Sequence, residues 1–169
     1  MKKLRVLLLI TNLGSGGAQR VFHDHAVTMC DFASVEEAVF DRYHGQRVYN
    51  SGMILHDIER KDLLSRLGPL GRLASRAFAL RKLVADGQFD LVISHMDGAN
   101  WVNVLSFSRA RKILVVHGTV LGDQNIQGLK QWLRIHVIFP WLYNLADHTV
   151  AVSEGIAQEL RKVGRVRNI

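Results

Sequence analysis

Cysteine, proline and long apolar runs are all scarce in this 169-residue chain. The one cysteine, Cys30, has no partner for an internal disulfide, and no cysteine and histidine spacing suits a zinc site. A reducing, cytoplasmic compartment is expected. No stretch approaches the roughly 20 apolar residues of a spanning helix; Val137 to Leu142 is far too short. The first apolar run is interrupted by Arg5 and ends in glycines rather than a small-residue cleavage site, so it reads as a first strand and not a signal peptide. Gly-Lys-Ser and Gly-Lys-Thr are absent, which excludes a P-loop, and no Asp-x-Asp triplet occurs.

What is present is an ordinary globular composition with a basic excess. The hydrophobic fraction is 48% and the charged fraction 22%, values that favour neither disorder nor a fibre. The net charge of +7 sits mainly in the later part of the chain. No helix-turn-helix, RNP or zinc-finger pattern accompanies it, so phosphorylated small molecules or an anionic membrane surface are the expected partners, and nucleic acid is not.

Short leucine-rich and β-branched runs alternate with stretches of helical period, the pattern of βαβ units around a parallel sheet. The spacing predicts strands over Leu4 to Ile10, Phe89 to Ser94, Lys112 to His117 and His148 to Val152, and weaker ones near Val35 to Phe40 and Met53 to Ile58. Helices are expected over Gln19 to Cys30, from Pro69 to about Ala85, over Asn100 to Phe107, from about Leu129 to Asn144 with a kink at Pro140, and from a Ser153 cap to Lys162. The fold class is α/β, a parallel sheet of six or seven strands with helices on both faces.

The strongest local signal is Asn12-Leu13-Gly14-Ser15-Gly16-Gly17-Ala18-Gln19-Arg20, a glycine-rich turn between the first strand and the first helix. Glycines there let backbone N–H groups approach a ligand, and the helix N-terminus favours a phosphate. The alternative is a tight turn without a ligand. A dinucleotide fingerprint would need glycine at 14, 16 and 19, but Gln19 stands third. A nicotinamide oxidoreductase is therefore disfavoured.

Gly16-Gly17-Ala18-Gln19-Arg20-Val21 resembles the "GGAERV" signature of the large family of retaining GT-B glycosyltransferases. Phe89-Asp90-Leu91-Val92-Ile93-Ser94-His95 looks like that family's "D-hydrophobic-I-H" strand. Val115-Val116-His117-Gly118 is similar to its histidine-bearing strand end, and Ala146-Asp147-His148-Thr149-Val150-Ala151-Val152-Ser153-Glu154 to its "AD-x-(I/V)-x-(A/V)-S" segment. The resemblance implies a Rossmann-like, N-terminal, acceptor-side domain over 1–169. It also implies that the C-terminal donor-binding domain, with its basic and carboxylate-rich motifs, is not in this chain.

On that resemblance, sugar passes with retention from a nucleotide-sugar to a glycan or lipid-linked acceptor, with no cofactor and, as the missing Asp-x-Asp agrees, no metal. The loop of Gly14, Gly16, Gly17 and Arg20 would line the interdomain cleft. His117 would bond the transferred sugar as the catalytic candidate, unless it is a core histidine satisfied by backbone. His95 and Gly118 belong to the same cleft set. Asp97 either shapes acceptor access or caps a helix, and Glu154 either faces the cleft or favours a helix's first turn. The glycine-rich loop Gly118 to Gly128 reads as an acceptor loop.

Five basic residues, Arg66, Arg72, Arg76, Arg81 and Lys82, fall between Asp62 and Asp86 with no acid among them. A helix from Pro69 sets Leu70, Leu73, Ala77, Leu80 and Val84 in one stripe with Arg72 and Arg76 turned away. The expectation is peripheral docking on the inner face of an anionic membrane, or else a solvated helix face. Trp132, Phe139, Trp141 and Tyr143 read as core, with interfacial anchoring as the alternative. A cleft face built to meet another domain also allows self-association. A non-catalytic subunit that pairs with a separate donor-binding chain is the competing reading of function.

Overall fold

The computed structural model describes residues 3–40, 47–59, 61–119, 128 and 132–169. Six strands form one parallel sheet: β1 Leu4–Ile10, β2 Ala33–Val39, β3 Leu55–Asp57, β4 Leu91–His95, β5 Arg111–Val116 and β6 His148–Ala151. Their order across the sheet is β3-β2-β1-β4-β5-β6, that of a Rossmann-like fold. The chain winds outward in both directions from β1, so a crevice opens between the carboxyl ends of β1 and β4.

The helices are α1 Gly17–Met29, α2 Gly68–Asp86, α3 Asp97–Leu105, α4 Phe139–Tyr143 and α5 Glu154–Lys162, with a short 3-10 turn over Leu64–Arg66. Both faces of the sheet are covered, which explains the apolar continuity of β1, buried from Val6 to Ile10. Val6, Leu8 and Ile10 pack with Phe22 and Ala26 of α1. Leu7 and Leu9 pack with Leu80 and Val84 of α2 and with Ala99 and Val102 of α3. Leu114 and Val116 of β5 meet Phe139, Leu142 and Tyr143 of α4 and Leu160 of α5. Burying one such side chain contributes about 1.5–3 kcal/mol, so these layers are the main hold on the sheet.

Register passes straight through the centre: Leu9 pairs with Ser94 and Ser94 with Leu114. Ser94 is buried on the α3 side, where its Oγ donates to Asn100 Oδ1 at 2.8 Å and accepts from Asn103 Nδ2 at 3.1 Å. Asn100 Nδ2 donates to the Val115 carbonyl at 3.1 Å and Asn103 Nδ2 to the Val92 carbonyl at 3.3 Å. A polar clamp thus ties α3 to β4 and β5 beneath the crevice.

Several expected boundaries move. The third helix begins at Asp97 rather than Asn100. Of the helix expected from about Leu129 to Asn144, the described part is helical from 132 to 143, with a π segment over Arg134–Ile138 directly before α4 and Pro140 in the first turn of α4. Positions 129–131 of that predicted helix, and 120–127 of the predicted acceptor loop, lie outside the described residues. Phe139 and Tyr143 are core, as expected, whereas Trp132 and Trp141 are exposed. Leu70 does not join the buried stripe: it is 80% exposed. Arg76 does not face solvent freely: it bonds Glu59 and lies 4.4 Å over the Phe40 ring. Among the described residues no helix is long and apolar enough to cross a membrane.

Candidate functional site

A hollow of about 660 Å³ lies in the crevice, lined by Thr11, Gly17, Ala18, Gln19, Met96, Asp97, Gly98, His117, Gly118 and Thr119. Each strand end supplies a part. β1 delivers Thr11 and the glycine loop, β4 delivers Met96 and the start of α3, and β5 delivers His117 one residue past its last paired position. A larger hollow, about 760 Å³, sits at the opposite edge among Lys3, Asp90, Arg109, Arg111 and Asp147. Its carboxylates are occupied by structure: Asp90 accepts from the Arg5 N–H at 2.9 Å and Asp147 from the Lys112 N–H at 2.7 Å. Open α/β sheets bind ligands at the carboxyl edge, so the smaller hollow is the candidate site.

The glycine loop is built around Asn12. Its Oδ1 accepts from the Gly14 N–H at 3.1 Å and from Gln19 Nε2 at 3.0 Å. Gln19 is buried, and a Cβ on Gly16 would lie 2.4 Å from its Oε1. The third position of the dinucleotide fingerprint is therefore filled by an amide that props the loop from inside. Gly17 and Gly118 have nothing within 4 Å of a Cβ position, so both border open space. The N-cap of α1 makes no side-chain bond, which leaves the first N–H groups of the helix facing the crevice.

Three histidines gather on the α1 side of the sheet. His95 Nδ1 lies 3.0 Å from His117 Nε2, the rings 28° apart in plane. The His25 ring of α1 meets His95 edge-on at 5.1 Å, and Phe22 does so at 5.4 Å. Burial above all, then His117 and His25, pushes His95 down to about 3. Burial and His25 lower His117, and burial lowers His25 against the opposing charge of Asp24. All three are neutral at pH 7, so His117 acts there as a hydrogen-bonding group and not a cation. Among the described residues no group of three or more His, Cys, Asp or Glu side chains is arranged to hold a metal ion.

Met96 stands at the turn out of β4. It joins β4 to α3 at φ 74° and ψ 149°, a conformation costly for any residue but glycine and characteristic of functional sites. Its sulfur accepts from Thr11 Oγ1 at 3.4 Å across the crevice.

The structure gathers some predicted residues and not others. Gly17, Asp97, His117 and Gly118 line the hollow. Gly14 and Gly16 lie in the loop behind it. His95 is fully buried below His117. Asp97 is not a cap: Met96 holds that position, and Asp97, in the first turn of α3, accepts from Tyr143 Oη at 2.7 Å. Arg20 points to solvent, 3.9 Å from Asp24. Glu154 sits in the exposed first turn of α5, 3.4 Å from Arg161 and away from the hollow. His25 was missed, because only the fold brings it to His95, and Gln19 and Met96 were read as parts of their segments without the contacts that packing gives them.

No curated protein matches the chain. Solved structures do. HepE of Anabaena in complex with UDP and glucose superposes with a TM-score of 0.72 at 16% identity, over 98% of this chain and 42% of that one. The lipopolysaccharide outer core galactosyltransferase WaaB gives 0.65 at 14%, over 98% and 45%. A UDP-N-acetylglucosamine 2-epimerase of Rickettsia bellii gives 0.58 at 7%, over 95% and 42%. At these identities the likeness shows the fold, and the epimerase shows that one fold carries more than one chemistry. The chain spans less than half the length of these structures. The sequence profile of Glycosyltransferase Family 4 matches residues 15–169, nearly the whole chain, and the protein belongs to that family.

Proposed function

We propose that this chain is the N-terminal, acceptor-side domain of a glycosyltransferase, and that its crevice forms one wall of the cleft in which a hexosyl group passes from a nucleotide-sugar to a glycan or lipid-linked acceptor. The observation that carries the reading is His117 beside the open N-terminus of α1, on the carboxyl edge of a sheet in a member of this family. Uncapped N–H groups suit the donor's phosphates, and Gly17 leaves room for them to approach. A neutral His117 suits a hydroxyl of the transferred sugar, and Asp97, held from behind by Tyr143, suits an acceptor hydroxyl.

The reaction is read as retaining and metal-independent, by resemblance to the family. A second domain outside this chain supplies the groups that stabilise the leaving phosphates. The setting is the cytoplasm, in envelope polysaccharide synthesis, with the protein peripheral on the inner face of the membrane. Leu63, Leu67 and Leu70, 78%, 69% and 80% exposed, support that docking, with Arg66 and Arg72 exposed beside them.

The test is to titrate the chain with UDP-glucose, the sugar-nucleotide seen with HepE, and to assay transfer with and without a donor-binding domain. Shifts confined to residues 11–19, 96–98 and 117–119, with transfer only when both domains are present, are expected. Robust transfer by the chain alone contradicts the half-enzyme reading. Binding without transfer in the two-domain protein supports a non-catalytic subunit instead.

A further inference from the structure

His117 reaches the crevice while its Nε2 is engaged from below by His95 Nδ1 at 3.0 Å. One proton lies between these two nitrogens, and which ring owns it decides what His117 offers to a ligand. His95 is fully buried at the end of β4, between the edge-on rings of Phe22 and His25. Its other nitrogen, Nε2, is buried without a hydrogen-bond partner among the described residues.

If His117 donated from Nε2, neutral His95 would carry its proton on Nε2, and a buried N–H would be left with no acceptor. If His95 donates from Nδ1, its Nε2 keeps only a bare lone pair. Orphaned buried N–H groups are rarer in proteins than under-satisfied acceptors, and the second arrangement avoids the orphan donor. It leaves His117 with its proton on Nδ1, the nitrogen that His95 does not occupy.

We infer that His95 is a positioning residue: it donates from Nδ1 to His117 Nε2, fixing the His117 tautomer so that Nδ1–H is the group presented to the crevice. The inference rests on the cleft reading above and deepens it, because it names the ligand chemistry. An N–H donor selects an acceptor oxygen of the bound sugar or phosphate, and it disfavours a ligand that offers only a donor at that point. His95 touches no ligand itself; it acts through the ring of His117, much as the outer partner of a functional histidine sets which nitrogen carries the proton.

The experiment is a long-range proton–nitrogen correlation spectrum of the chain with ¹⁵N-labelled histidine at pH 7.5, without ligand. His95 and His117 are both expected as Nδ1–H tautomers. A His117 protonated at Nε2 overturns the inference. In His95→Leu, His117 is expected to relax to a mixture of tautomers, and a spectrum of His117 unchanged from wild type overturns the positioning role. His95→Asn places an amide donor near the same point and is expected to restore the single Nδ1–H form. Should the leucine variant fail to fold, the wild-type and asparagine spectra still decide. None of these readouts needs sugar transfer: a correct tautomer with no UDP-glucose binding sinks the functional reading and leaves the positioning role intact.

Discussion

Tyr143 Oη donates to Asp97 Oδ1 at 2.7 Å, although the two residues are 46 apart in sequence. The phenol is fully buried in the layer between α4 and the sheet, with its ring stacked on Phe139 at 4.4 Å. It pins the first turn of α3 and with it the carboxylate on the crevice wall. Tyr143→Phe keeps the packing and removes one charge-assisted bond, so unfolding stability is expected to fall by about 1.5–3 kcal/mol. Urea unfolding checks this, and an unchanged midpoint contradicts the pinning role.

The clamp under the crevice gives a second prediction. Asn100 accepts from Ser94 and donates to the Val115 carbonyl, all within a fully buried region. Asn100→Leu is expected to cost about 2–5 kcal/mol, because it removes both buried bonds of the amide, leaving the Val115 carbonyl only the Met96 N–H at 3.3 Å, and overfills the site at once. Ser106→Ala at the end of α3, which loses a bond to the Asn103 carbonyl at 2.6 Å and one from the Ser108 N–H at 3.3 Å without overfilling the site, is expected to cost about 1–2 kcal/mol. Equal midpoints for the two variants would show that the clamp carries no special weight.

These contacts mark where sequence stops being informative. β1 was legible to the residue because the part of a strand covered on both faces must be apolar, as Val6 to Ile10 are, and Leu4–Ile10 is flanked by a charge and a glycine turn. His117 was legible as the end of a β-branched run. The start of α3 was not, because it depends on Met96 at positive φ, a conformation that no side-chain pattern announces. Arg20 reads as a cleft residue by its motif, but helix phase turns it to solvent, and of the two readings of Glu154 the structure takes the first turn of a helix. Leu70 has the period of a buried stripe yet is exposed, and periodicity alone did not show it. The histidine cluster was half legible: His95 and His117 close their strands, but only the packing of α1 brings in His25.

The buried histidines set a pH dependence. His95 is held down to about 3 by burial first and then by His117 and His25, whereas the unfolded chain titrates near pH 6.5. Above pH 6.5 both states are neutral and the group contributes nothing. Below it the unfolded chain takes a proton that the folded one refuses, so stability falls with pH, approaching about 1 kcal/mol per pH unit until the folded value is reached. His25 and His117, lowered mainly by burial, act in the same sense. Glu37, raised by burial, acts in the opposite sense, since its folded form takes the proton first as pH falls. Urea unfolding at pH 7.5 and pH 5 should show a smaller stability loss for His95→Asn than for wild type, and parallel losses would refute the assignment.

Gly17 separates a ligand loop from a mere turn. A methyl group there meets nothing within 4 Å, and alanine is the better helix former by about 1 kcal/mol. Gly17→Ala is therefore expected to leave stability unchanged or slightly raised while weakening UDP-glucose binding at least tenfold, by intruding where a phosphate would sit. Calorimetric titration alongside thermal melting reads both. Wild-type affinity in a folded Gly17→Ala protein means that the loop only turns the chain.

The membrane docking proposed above depends on which side chains of the basic run stay free. Lys82 is paired with Asp86 at 2.7 Å and Arg76 is tied to Glu59, so much of the basic stripe is spent within the protein. What remains outward is Arg81, farther along α2, and the corner where the 3-10 turn meets α2, with Leu63, Leu67 and Leu70 beside Arg66 and Arg72. Each basic residue near an anionic leaflet contributes about 1 kcal/mol, so Arg66→Glu with Arg72→Glu is expected to weaken sedimentation with phosphatidylserine vesicles at least tenfold in low salt. The same pair at Arg109 and Arg111, on the far edge of the sheet, is expected to change it little. Leu67→Asp with Leu70→Asp should abolish binding even where the arginines are intact, because charge alone gives only reversible attraction and the leucines must enter the interface. Absence of wild-type binding to anionic vesicles at low salt would rule the membrane out and return this corner to the contacts of another protein.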